Sequence, residues 1–198
     1  MINERGVFMM KKWLAGTVCI ATLLVAMVGV YSASSNSSQT VSEYRGYIQH
    51  LVSVRLDKQN DVYYHLGELI KELVDGKVTA EQIEAFCSGV TIFTRDDLTD
   101  GACDIVCGDE RELQSTLRSL LYAGSDIGAE QLQQLSDSEL ESLAELCFEL
   151  CDCCDRGKAD LTLAHFISVQ EFGSDEYLEE LQATNDLLAR FTDMIPAR

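Results

Sequence analysis

Proline is missing from residues 1–195 of this 198-residue chain; its single proline is Pro196. Inside a helix, proline removes a hydrogen bond and clashes with the preceding turn, whereas sheet proteins use it in their many turns. A chain this long without it can form long helices and is poorly equipped for a turn-rich sheet fold. The apolar residues repeat accordingly. Val41, Tyr44, Ile48 and Leu51 recur at steps of three and four, as do Val62, Leu66, Leu69 and Leu73. "RLDKQND" interrupts the stripe between them, so this region reads as one long helix or as two with a hinge near Asn60, stopped by "DGK" at 75–77.

Helix starts are written further along. Thr79 with Gln82 and Ser136 with Glu139 have capping-box spacing, in which each side chain satisfies an amide the helix leaves open. The first opens a helix carrying Ile83, Phe86, Val90 and Phe93. The second opens one carrying Leu140, Leu143, Cys147, Leu150 and Cys154 on a single face, closed by Gly157. Between them a helix from Asp100 to Tyr122 carries Cys103, Val106, Leu113, Leu117 and Leu120, interrupted at Gly108 and Glu110. A short helix through Leu163, Phe166 and Ile167 follows. A last one starts at Ser174 with Asp175 and Glu176 and carries Leu181, Leu188, Phe191 and Ile195. The expected fold is all-α, an antiparallel bundle of five to six helices.

Ahead of the bundle stands a different kind of segment. Trp13 to Tyr31 is an uncharged, mostly apolar run of 19 residues behind Lys11 and Lys12. Its length suits a bilayer-spanning helix and exceeds a usual signal h-region of about 7–15 residues. Val30/Ser32 and Ser32/Ser34 have the small-residue spacing of a cleavage site, so an anchor and a cleaved signal both fit. Either way the basic flank stays in the cytoplasm and the rest lies outside. Four parts result: a cytoplasmic n-region (1–12), a transmembrane anchor or signal segment (13–31), a Ser-rich spacer (32–40) and an extracytoplasmic helical domain (41–198). Single-pass membrane attachment is the first reading of location, secretion after cleavage the second.

Charge narrows the partners. The net charge is −18, and residues 1–33 contribute +2 from Arg5, Lys11, Lys12 and Glu4, so the remainder carries −20. Such a surface repels nucleic acid and favours cationic partners or loosely held divalent ions. With 46% hydrophobic residues the domain has material for a true core.

Eight cysteines carry the remaining chemistry. If the third and fourth helices form an antiparallel hairpin, Cys103 and Cys107 approach Cys147, Cys151 and Cys154. Thiols one turn apart on a helix have Cβ atoms about 5–6 Å apart, against about 3.8 Å in a disulfide. Oxidation would therefore pair across helices, Cys107 with Cys147 and Cys103 with Cys151 or Cys154, and an extracytoplasmic location permits it. Cys87 and Cys153 have no assigned partner. The alternatives are reduced thiols packed in the core, a Zn²⁺ or Cu(I) site on Cys103, Cys107, Cys147 and Cys151, and thiol redox chemistry at Cys151–Cys154. The last is disfavoured by position, because reactive thiols want a helix N-terminus and these lie near a C-terminus beside Asp152 and Asp155.

Other signals are weak. "DDLTDG" from Asp96 starts like a calcium loop, but Leu98 and Cys107 occupy positions that need oxygen ligands. His50 and His65 lie too far apart in sequence for one site. Tyr44, Tyr47, Tyr63 and Tyr64 suit either a partner surface or packing. A phosphate loop, a metalloprotease helix and a nucleophile elbow are all absent from the sequence. The expectation is a non-enzymatic interaction or scaffolding domain of the cell envelope, bound to a protein partner and compatible with homo-oligomerisation. The alternative is an exported thiol-rich bundle holding Zn²⁺ or Cu(I).

Overall fold

The computed structural model describes residues 45–94, 97–125, 127–155, 157 and 161–197. The apolar run 13–31 and the Ser-rich spacer lie outside the described residues. No helix among the described residues is long and apolar enough to cross a membrane. The chain divides into units 1–46 and 47–198, and the helices below belong to the second apart from the first residues of α1. The fold is all-α, with eight helices and no strand among the described residues.

Helix α1 is continuous through residues 45–74. No hinge forms at Asn60, whose side-chain amide instead donates to the Cys151 carbonyl at 2.9 Å. Its deeply buried face is Val52, Leu56, Gln59, Tyr63, Leu66 and Ile70, alternating steps of four and three. The expected stripe shared only Leu66 with this face; Val62, Leu69 and Leu73 sit at its margin and Leu51 is exposed. The rotation has a plain cause. Gln59 is a polar residue at the centre of the buried face, so hydropathy alone lost the link between the two halves.

Gly76, at φ 69°, ends α1, and the Lys77 amide closes onto the Glu72 carbonyl at 2.8 Å. Helix α2 (Ala80–Thr94) starts as expected, with the Thr79 amide donating to Gln82 Oε1 at 2.8 Å. The single helix expected over Asp100–Tyr122 is two: α3 (Asp97–Cys107) and α4 (Arg111–Tyr122). Gly108 takes the left-handed conformation, φ 58°, and its amide caps the Asp104 carbonyl at 3.0 Å. The chain turns there and α3 packs against α4. The connector "AEQL" forms a one-turn helix α5 (Ala129–Leu132) that packs on α2. Gln131 holds it at both ends, accepting from the Gly128 amide at 2.9 Å and donating to the Pro196 carbonyl. These two events raise the count from the expected five or six helices to eight.

Helix α6 (Asp137–Cys154) is capped by Glu139, whose carboxylate accepts from the Ser136 amide and hydroxyl at 2.7 Å each. Helix α7 (Leu163–Val169) starts at Thr162 and α8 (Asp175–Met194) at Ser174, whose hydroxyl accepts from the Tyr177 amide at 3.1 Å. Helices α1 and α6 run antiparallel, as Asn60 meets Cys151 at one end and Lys71 meets Glu145 at the other, 3.0 Å away. At their crossing is Gly67, where an added Cβ would lie 2.8 Å from Phe148 Cζ and 3.2 Å from the Ala144 carbonyl oxygen. Only glycine lets the two backbones come this close. Helices α6 and α8 are antiparallel too, joined at Glu149–Arg190 and Cys153–Thr184. Tyr63 ties α1 to α4 by donating to the Leu120 carbonyl, and Thr116 ties α4 to Asn185 of α8 at 2.6 Å.

Candidate functional site

The cysteines were the sequence's candidate chemistry, and the structure puts them inside. Cys87, Cys103, Cys107, Cys147 and Cys154 are buried members of the one apolar core, while Cys151 and Cys153 are half-buried at its margin. All seven are thiols, and none forms a disulfide. The structure gives no support to pairing Cys107 with Cys147 or Cys103 with Cys151 or Cys154. Their premise was a hairpin of helices three and four. The break at Gly108 turns α3 onto α4, and α6 packs on α8 and also lies against α1.

Electrostatic neighbours sort the thiols by helix. Cys107 senses Cys103 and Asp104 on α3. Cys147 senses Cys87 on α2 and Cys151 on its own helix, and Cys154 senses Cys153, Cys151 and then Asp57 of α1. Tyr63 of α1 stands beside Cys154, Cys147 and Cys153. Among the described residues no group of three or more His, Cys, Asp or Glu side chains is placed to hold a metal ion. The fit of Zn²⁺ or Cu(I) to Cys103, Cys107, Cys147 and Cys151 thus lacks its ligand set.

Burial also sets their protonation. Loss of water pushes Cys87 up to about 12, with Glu84 nearby adding to the rise. Cys107 rises to about 12 through burial, then through Cys103 and Asp104. Cys153 rises to about 11 through burial, then through Glu180. Cys147 and Cys154 are pushed up as well, burial again leading. Nucleophilic or metal-binding thiols need the reverse, a nearby cation or helix N-terminus that favours thiolate. Here the carboxylates Glu84, Asp104, Glu180 and Asp57 lie near them, and Arg118, close to Cys107, does not outweigh burial and Asp104.

Tyr63, one of the four tyrosines suited to surface or packing, lies in the same interior, and so does Tyr177, with Glu180 at its margin. Tyr63 is buried with its phenol pushed up by desolvation and its hydroxyl donating to the Leu120 carbonyl. Tyr177 is buried too, and its hydroxyl has no hydrogen-bond partner among the described residues. Glu180 is raised by burial although it accepts from the Leu163 amide at 3.3 Å. Periodicity could have flagged Tyr63, since it lies seven residues from Leu56 and Ile70 on one helix face. No sequence signal points to Glu180.

What remains for binding is the surface. An open groove beside the α7–α8 turn has an apolar floor of Phe166 and Phe172, with Leu161 exposed at its edge and Glu171 and Glu176 on its rim. Leu178 is exposed on α8, and Ile105 on α3. The four tyrosines divide: Tyr63 is core, Tyr47 and Tyr64 are exposed, and Tyr44 lies outside the described residues. Tyr64 packs edge-on to Phe148, over whose ring Lys71 sits at 4.3 Å. No family model matches the chain, no curated protein matches it, and no solved structure matches it.

Proposed function

We propose that this chain is an envelope interaction module: an acidic helical domain, carried outside the membrane by the segment 13–31, that recruits a cationic, partly apolar protein partner. The observation that supports it most is the burial of the thiols. Five cysteines are buried in the apolar core and two are half-buried at its margin, and no metal-ligand set is assembled among the described residues. Recognition is then the work of a surface that carries −20 beyond residue 33. The groove at Phe166 and Phe172, rimmed by Glu171 and Glu176, fits a segment presenting an apolar side chain beside lysine or arginine.

The test is photo-crosslinking in the native host from Leu161 and Glu176, with Ile105 as the control position. The expected result is one defined protein adduct at the groove positions and none at the control. Equal labelling at all three would refute a specific groove. Zn²⁺ or Cu(I) retained at fixed stoichiometry by the host-purified protein, and lost in Cys103→Ser, would replace this reading with metal handling.

A further inference from the structure

The fold builds one cradle for a long cationic side chain out of its own residues. Lys71 of α1 lays its ammonium over the Phe148 ring of α6, 4.3 Å from the centroid, and pairs with Glu145 at 3.0 Å. The aromatic face takes the stem and the charge, and the carboxylate beside it neutralises the charge. The groove beside the α7–α8 turn has the same parts twice over. Phe166 and Phe172 form its floor, Glu171 and Glu176 stand exposed on its rim, and Leu161 extends the apolar edge. A cation of its own is the missing part. Among the described residues that line the groove none is Lys or Arg, and residues 161–189 contain six acids, one histidine and no Lys or Arg. Helix α7 ends here without a basic residue in its last turn, so its C-terminal dipole adds to the negative field.

We propose that this groove takes a single long cationic side chain, arginine or lysine, from the partner protein, with the stem on Phe172 and Phe166 and the charge between Glu171 and Glu176. The inference rests on the interaction reading given above and deepens it: stem and charge come from one residue, so the partner needs no separate apolar anchor. Charge complementarity selects the occupant. A purely apolar side chain would cover the rings but bring the two carboxylates out of water without a partner, which is costly. An anionic side chain would be repelled by both. A metal ion would find no set of three ligands among the described residues. Arginine and lysine bury an apolar stem while the charged head stays at the wet edge, and this groove is open, with its rings below and its acids on the rim.

The test titrates the full chain, labelled with nitrogen-15 and held in detergent micelles, with short capped glycine peptides. Their central residue is arginine, its neutral analogue citrulline, or leucine, and a fourth peptide carries a leucine–arginine pair. The arginine peptide should shift the amide signals of Glu171, Phe172 and Gly173 and leave that of Glu141, exposed on α6, in place. The citrulline and leucine peptides should bind about tenfold more weakly. Glu171→Gln combined with Glu176→Gln should weaken the arginine peptide about fivefold, and Glu141→Gln should leave it unchanged. A response to the leucine–arginine peptide but not to arginine alone would overturn the inference and leave the interaction reading intact. Equal shifts at Glu171 and Glu141 would also overturn it, reducing the binding to diffuse attraction. Tighter uptake by a variant carrying Arg156→Ala and Lys158→Ala would overturn it in favour of the chain's own cations as occupant. No response to any of the four peptides would remove the groove from the interaction reading, and this inference with it.

Discussion

Two buried tyrosines make opposite demands, and exchanging each for phenylalanine tests the packing from both sides. Tyr63 Oη donates to the Leu120 carbonyl, which lies in the last turn of α4. Helix ends leave such carbonyls without an intrahelical donor. The Ser119 and Tyr122 carbonyls are met locally by the Ala123 and Ser125 amides, and α1 supplies the donor for Leu120 from across the core. Tyr63→Phe keeps the ring and its edge contact with Phe191, 6.4 Å between centroids, and removes the hydroxyl that donates to Leu120 and accepts from Gln59. A buried carbonyl loses its partner, which costs about 1–3 kcal/mol. With a urea slope of about 1–3 kcal/mol per molar, the midpoint should fall by roughly 1 M at unchanged slope.

Tyr177 is as deeply buried but its hydroxyl has no protein partner among the described residues. Its ring is held between Phe166, 5.6 Å away edge-on, and Phe172 at 5.5 Å. Tyr177→Phe keeps that packing and deletes a desolvated hydroxyl, so stability should stay level or rise by up to about 1 kcal/mol. The assay is urea unfolding of residues 41–198 followed by far-UV circular dichroism. Equal destabilisation of the two variants would refute the reasoning, and so would a Tyr63→Phe midpoint indistinguishable from the parent.

Gly108→Ala should cost about 1 kcal/mol, because a side chain is forced into the left-handed conformation that separates α3 from α4, and thermal unfolding will read it. Glu180→Gln should raise the melting temperature at pH 7: the amide oxygen still accepts from Leu163 and no charge is buried. Because the Glu180 carboxyl is raised in the fold, the parent's deficit disappears below about pH 4, and the two melting curves should converge there. Alkali should unfold the domain early. A thiol held above its unfolded value stabilises fully below about pH 8.5, and that contribution is lost as pH climbs toward its folded value. Five thiols are so raised, giving a slope approaching about 7 kcal/mol per pH unit against a total of about 5–15. Circular dichroism should show a cooperative loss near pH 10, and a domain still folded at pH 11.5 would contradict the burial assigned to them.

Local rules with a short reach were readable in advance. Thr79–Gln82, Ser136–Glu139 and Ser174 each start a helix where their spacing says, and Leu140, Leu143, Cys147, Leu150 and Cys154 form one buried face. Tertiary context decided the rest. The face α1 buries passes through Gln59, a choice that depends on what its neighbours present. Gly108 looked like an interruption tolerated within a helix, yet it ends one, because α3 buries Cys103 and Val106 better by folding back. That turn sets the thiols of α3 apart from the hairpin expected for them, so the reading of the cysteines depended on a topology that spacing alone does not give.

Helix ends argue about function independently of thiol exposure. Cys147, Cys151, Cys153 and Cys154 occupy the last two turns of α6, where the backbone presents its carbonyls and the dipole is negative. None of α2 to α8 carries a basic residue in its last turn. At α3 the cation comes from another helix, Arg118 of α4 meeting Asp104 at 2.5 Å, whereas at α6 Asp152 and Asp155 add to the negative field. A field of this sign opposes thiolates, phosphates and carboxylate ligands alike, and it draws cations. Chemistry that proceeds through an anion at these cysteines would have to work against the helix, its flanking aspartates and its burial together. Binding of a cationic segment works with the helix end and its aspartates.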